Sequence, residues 1–169
     1  MDIYPLIQPG NKIKFAFINT CLSADTTYGQ GELPPQFPYP GRGLGMPFAW
    51  TRRLVGPDMS SDGYNNPDYS GQVYIGFPYG SASLMQHIPY DYGVQYRWWV
   101  NYFFYYALNF NMSVNDALNT VCQQYWGTTF GNSYLRAGFT AYWWNANPET
   151  MPGSTMAVYG DGTIYLRNP

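Results

Sequence analysis

An α/β fold, with a small mostly parallel sheet flanked by helices and long irregular loops, is predicted by three features of the chain. Short apolar runs rich in aromatic and β-branched residues end abruptly at small or polar residues, at Lys12–Asn19 and Gln72–Phe77. Two helical segments follow them, over Tyr92–Asn111 and from Ser113 onward. A last apolar stretch, Met156–Leu166, comes after the helices. Strand, long loop, strand, helix, helix and strand is the order of an α/β domain.

The 169 residues suffice for one domain. It divides into a leader at 1–11, a strand and cysteine loop at 12–25, a long loop at 26–71 and the strand–helix–helix–strand unit at 72–169. Hydrophobic residues make up 46% of the chain, enough for a sizeable core, whereas charged residues reach only 11%, less than half the usual share. Eight Lys and Arg face ten Asp and Glu with no basic stripe, which argues against a nucleic-acid partner. No apolar run reaches the roughly 18 residues of a membrane span. Residues 1–12 carry Asp2 and no basic n-region, so they do not read as a signal peptide. A surface poor in charge and holding many of the 18 tyrosines fits a cell-surface, extracellular or assembled protein. Cys21 and Cys122 allow one bridge at most. Their different contexts favour two free thiols. No cofactor is expected.

Taken in order, Phe15, Phe17 and Ile18 supply the first strand, and Thr20 and Cys21 end it. The region after it holds GELPPQFPYPGRGLGMP, whose prolines and glycines forbid regular structure. Its frequent aromatics argue for packing against a surface. In the second strand, QVYIGF lies between glycines. Tyr92–Asn111 has the length of a helix and no breakers; apolar nearly all round, it is expected to be buried between layers. Ser113 and Asp116 form a near capping box, Val114, Leu118, Val121, Cys122 and Tyr125 recur at helical spacing, and Gly127 stops the helix. A strand is expected around Phe139–Trp143. Met156–Tyr159 and Thr163–Leu166 flank Gly160-Asp161-Gly162, giving either a hairpin or one strand entering a bend.

The candidate site residues start with Cys21. A thiol at the mouth of a buried strand is well placed for a nucleophile, since the strand holds the backbone and the loop admits substrate; equally, it is a small buried apolar side chain. His87, the one histidine, is the candidate base, or simply a loop or helix-entry residue. Asp58–Asp68 has the oxygen-rich look of a calcium loop but lacks its register, and Asx-turns account for it. Arg52-Arg53 is the one adjacent basic pair, a processing site or solvated charge. Trp98-Trp99, Phe103–Tyr106 and Tyr142–Trp144 offer either a carbohydrate platform or core and subunit contacts. Adjacent aromatics on a helix face different ways, so one of each pair must point away from a single core. Cys122 belongs to the core, and the Asn111-Met112-Ser113 sequon overlaps a helix cap.

KFAFINTCLSAD resembles the nucleophile segment of caspase-like (clan CD) cysteine peptidases, the gingipain and caspase type. IGFPYGSAS is similar to their next strand and its substrate-facing serine loop, SVNDALNTVCQQYW to a helix of gingipain-like proteins, and MAVYGDGTIYL to their terminal strand. GMPFAWT and SSDGYNNPD also resemble segments of uncharacterised archaeal surface proteins with this fold. The resemblance implies Cys21 as nucleophile, Ser81 and Ser83 beside the substrate, and an oxyanion held by backbone N–H groups including that of Cys21. In that family the catalytic histidine precedes the cysteine, on the strand that pairs with the cysteine strand. Here no histidine precedes Cys21, so the chain corresponds to the C-terminal half of such a domain. The Lys12–Asn19 strand is then left with an open edge that recruits a partner, either a separate N-terminal chain or copies of itself. The expected function is a non-catalytic assembly subunit; the alternatives are a cysteine peptidase component whose histidine lies on another segment, and a carbohydrate-binding module.

Overall fold

Val73, Tyr74 and Ile75 are fully buried, and they form the central strand of the sheet. The structure, a computed structural model, describes residues 14–20, 23, 50, 71–77, 81–89, 93–137 and 155–167. Cys21, Arg52-Arg53, Asp58–Asp68 and the strand expected around Phe139–Trp143 lie outside the described residues.

Strand β1 (Phe15–Phe17) runs parallel to β2 (Val73–Gly76), with Phe15 opposite Val73 and Phe17 opposite Ile75. A two-stranded ribbon follows, β3 (His87–Ile88) against β4 (Val94–Gln95). Helix α1 (Tyr96–Asn109), helix α2 (Val114–Trp126), a 3-10 turn (Phe130–Asn132) and the short α3 (Tyr134–Ala137) lead to β5 (Ala157–Gly160). The main sheet has the order β1-β2-β5.

That sheet is mixed rather than mostly parallel, because β5 is antiparallel to β2, with Tyr159 opposite Tyr74. The reason is the number of helical crossings. The first N–H groups of α1 bond to the segment that follows β2, Tyr96 to the Gln86 carbonyl and Arg97 to that of Leu84. The start of α2 sits at the other end, where Val114 and Asn115 donate to Ile164 and Gly162, just past β5. The far end of α2 returns to the first end, where Trp126 Nε1 donates to the Ile88 carbonyl and Met156 N–H to that of Leu135. Two crossings bring the chain back to where β2 left the sheet, so the next strand must run the opposite way.

Packing follows the helix periodicity. Tyr96, Trp99, Phe103 and Ala107 lie on one face of α1 and are fully buried. Phe103 sits 6.2 Å from Phe15, 6.1 Å from Phe17 and 5.9 Å from Trp99, ring centre to ring centre. The helix is not buried all round: Trp98, Tyr105 and Leu108 are exposed. Among the described residues it is chiefly the sheet beneath it and α2 alongside that pack on the helix. Trp98 and Trp99 part company as the helical geometry requires.

Helix α2 begins as its sequence dictates. Ser113 Oγ accepts from the Asp116 N–H at 3.1 Å and donates to the Asp116 carboxylate at 2.7 Å. Gly127 closes the helix in the left-handed conformation, φ 65°, where a side chain is strained. After β5 the chain forms one strand entering a bend: Asp161 accepts from the N–H groups of Gly71 and Thr163, tying the start of β2 to the end of β5. A Cβ on Gly162 would meet the Asn115 side chain at 2.1 Å, so any larger residue where the bend crosses α2 must displace Asn115.

Ser113→Ala removes one cap and lowers unfolding stability by about 1 kcal/mol, while Phe103→Ala empties the contact between helix and sheet and costs roughly 3–5 kcal/mol. Urea unfolding followed by far-UV circular dichroism checks both magnitudes and their order.

Candidate functional site

Because β1 and β2 are parallel, both leave the sheet at the same end, the place where open α/β sheets gather their ligands. The two exits are stitched together by side chains. Asn19 Nδ2 donates to the Ala82 carbonyl at 3.2 Å. Ser23 Oγ donates to the Ile18 carbonyl at 3.0 Å and accepts from the Phe77 N–H at 2.9 Å. The Tyr74 hydroxyl donates to the Ser23 carbonyl. These bonds hold Asn19, two residues before Cys21, against the segment that carries Ser81 and Ser83, and Ser23, two residues after it, against the end of β2.

Ser81 and Ser83 are both half-buried and flank the buried Ala82. Ser83 opens a turn: its carbonyl accepts from the Gln86 N–H at 2.9 Å, its own N–H reaches Gln86 Oε1 at 3.4 Å, and its hydroxyl accepts from the Met85 N–H at 3.4 Å. The carbonyls of Leu84 and Gln86 then receive the first N–H groups of α1, which explains why that helix has no side-chain cap. His87 lies in β3 rather than in a loop, paired through its main chain with Gln95 and half-buried. The serines and the Asn19 and Ser23 anchors are therefore brought together, and His87 stands four residues past Ser83 on the same connection. Among the described residues no group of three His, Cys, Asp or Glu side chains could hold a metal, and no helix is long and apolar enough to cross a membrane.

Buried polar atoms without a hydrogen-bond partner among the described residues lie at this end, Asn19 Oδ1, Gln95 Oε1, the Tyr96 hydroxyl and Arg97 Nε, and also around the start of α2, Asn111 Oδ1 and Asn115 Oδ1. A buried group left unpaired costs about 1–3 kcal/mol. Asn19, Ser23, Tyr74 and Gln86 went unnoticed in the sequence as site residues. Ser23 lies within the cysteine loop, but nothing in the spacing marks the other three.

A second surface lies on the outer side of α1. The rings of Tyr102, Tyr105, Tyr106 and Phe110, with Tyr125 of α2, form a network with centres 5.3–6.2 Å apart. Tyr105 and Phe110 are exposed, and the Tyr106 hydroxyl donates to Gln124. Burial, with the nearby phenols of Tyr102 and Tyr106 adding to it, raises the Tyr125 hydroxyl above its ordinary range.

The β1 edge is the third feature. Val73 N–H donates to the Lys14 carbonyl and Ile18 N–H donates to the Ile75 carbonyl. In a parallel ladder the main-chain groups alternate in direction, so those of Phe15 and Phe17 point away from β2 and have no partner among the described residues. No family model, curated protein or solved structure matches the chain.

Cys122 is unbridged and fully buried, with the Trp99 indole N–H donating to its sulfur at 3.4 Å. Burial pushes its thiol from 9.0 up to about 11, against the opposing pull of the hydrogen bonds from Trp99 and Ser133. Burial likewise raises the Tyr74 and Tyr96 hydroxyls. Each raised group binds its proton more tightly in the folded chain than in the unfolded one, so its share of stability is intact below the ordinary value and is lost on passing upward through the folded one. Melting temperature should therefore hold up to about pH 9 and fall between 9 and 11, with the thiol accounting for on the order of 2 kcal/mol. Cys122→Ala should flatten the first part of that decline.

Proposed function

We propose that this chain is a non-catalytic assembly subunit, a caspase-like half-domain that completes its sheet with a strand from another polypeptide. The observation that carries the reading is the β1 edge. Phe15 and Phe17 have their rings packed on the α1 core, so the strand is firmly held, yet their main-chain N–H and C=O groups face outward with no partner among the described residues. A rigid, apolar edge strand is a template for strand addition. The low charge of the chain, 11%, leaves little to repel an approaching strand.

A second reading, a component of a cysteine peptidase, is favoured by one specific observation. The Asn19–Ala82 bond ties the chain just before Cys21 to the serine segment, and the Ser23–Phe77 bond ties the chain just after it to the end of β2. In that reading Cys21 is the nucleophile, Ser81 and Ser83 line the substrate, and the strand completing the β1 edge delivers the histidine. Assembly and catalysis then share one event, and His87 serves as a strand residue of the β3–β4 ribbon.

Amide hydrogen exchange tests the first reading. In the dilute chain the Phe15 and Phe17 amides should exchange fast and that of Ile18, bonded to β2, slowly; on assembly the first two should become protected. Protection of Phe15 and Phe17 in an isolated monomer would mean the edge is already covered, and the reading fails. For the second, a thiol-directed electrophile at neutral pH reports Cys21 alone, because Cys122 is buried and protonated. Labelling much faster than a free thiol supports an activated nucleophile, and an ordinary or slower rate rules out catalysis by this chain alone.

A further inference from the structure

We infer that the strand completing the β1 edge belongs to a second copy of this chain, joined antiparallel about a two-fold axis at Ala16. This rests on the assembly reading and names its partner. Phe15 and Phe17 carry the outward main-chain groups, and Ala16 between them faces β2. An antiparallel pair centred on Ala16 sets Phe15 opposite the other copy's Phe17. Each of these then exchanges both of its main-chain bonds across the axis, and no outward group of β1 is left over.

The side chains agree with this register. At the axis the two Ala16 residues form a non-hydrogen-bonded pair, where strands approach to about 4.5 Å between Cα atoms and side chains are closest. Ala16 has the smallest side chain of the strand, and among the described residues its face is shared with Tyr74, Ala157, Tyr159, Ile18 and Trp50. Lys14, the charge beside the strand, stands opposite Ile18 of the other copy rather than opposite its own counterpart, so like charges do not meet.

The helical layer shows why the partner is a copy and not a bare strand. Phe104 of α1 meets Phe15 and Phe17 edge-on at 6.0 and 5.9 Å and is only half-buried. Leu108, one turn further along that side, is 41% exposed. A bare strand would satisfy the β1 edge and leave both residues in water. A partner with a helix above its own edge strand covers them, and this chain has that construction. No charged residue occurs from Trp98 to Phe110, so two α1 helices can lie side by side without repulsion.

Disulfide trapping decides the matter in the C21S background, where Cys122 remains buried and unreactive. A16C should form a covalent homodimer rapidly under mild oxidation, because a Cα separation of about 4.5 Å lies within disulfide range. K14C alone should not, whereas mixed K14C and I18C chains should cross-link to each other, which keeps the test open if A16C folds poorly. L108E, at an exposed position, should weaken association roughly tenfold or more through like-charge opposition while leaving the melting temperature of the dilute chain unchanged. Self-linking of K14C would overturn the antiparallel register. A chain that associates with protected Phe15 and Phe17 amides, but fails to cross-link in either arrangement, would overturn the two-fold pairing and leave the assembly reading standing. A chain that stays monomeric with fast-exchanging amides would overturn self-pairing, and slow exchange in the monomer would overturn both.

Discussion

The seat of Phe103 is the constraint on which the rest of this molecule depends. Its ring lies nearly parallel to that of Trp99, at an interplanar angle of 5°, and covers both Phe15 and Phe17. Because β1 is only three residues long, the main-chain bonds to β2 alone would hold it weakly; the aromatic stack gives it a fixed position. That position places α1 over the sheet edge and leaves α2 to pack beside it, through Trp99 against Cys122 and Tyr102 against Tyr125. Burying large rings against one another contributes several kcal/mol per residue, more than any cap or turn in the chain.

From that arrangement the two ends of the sheet acquire different characters. At the end where β5 finishes, Asp161 ties Gly71 and Thr163, and Gly162 lets the bend lie against Asn115. The opposite end, where β1 and β2 exit, is stitched by Asn19 and Ser23 yet keeps buried polar atoms unpaired. Buried polar atoms without a partner among the described residues occur at both ends, Asn19 Oδ1 at this one and Asn115 Oδ1 beside Gly162 at the other. The exposed edge of β1 adjoins the second end, so a strand added there would also border the cysteine and serine segments.

Local chemistry was legible where one residue decides the outcome. The Ser113–Asp116 cap, the Gly127 stop, the burial of Cys122 and the division of Trp98 from Trp99 follow from side-chain hydrogen bonding, left-handed backbone and helical spacing. The β3–β4 ribbon was not legible, since two residues per strand carry no periodicity; its mark is Gly93, where a Cβ would lie 2.0 Å from the Ile88 carbonyl. Of the candidate site, Ser81 and Ser83 were placed near the cysteine segment by resemblance alone. The bonds that bring them there come from Asn19 and Ser23, ordinary polar residues whose partners are about 50 to 60 positions away.

By itself, then, the sequence determined the two long helices, the start and stop of the second, and the apolar strands, because propensity, capping and hydrophobic pattern act over a few residues; the first helix, expected from Tyr92, starts only at Tyr96 because Val94–Gln95 pairs as a strand with His87–Ile88. The tertiary structure alone decided that the sheet is mixed, that α1 buries only one face, and which loops meet. Those outcomes depend on how many times the chain crosses the sheet and on which long-range hydrogen bonds close, and no local pattern encodes either.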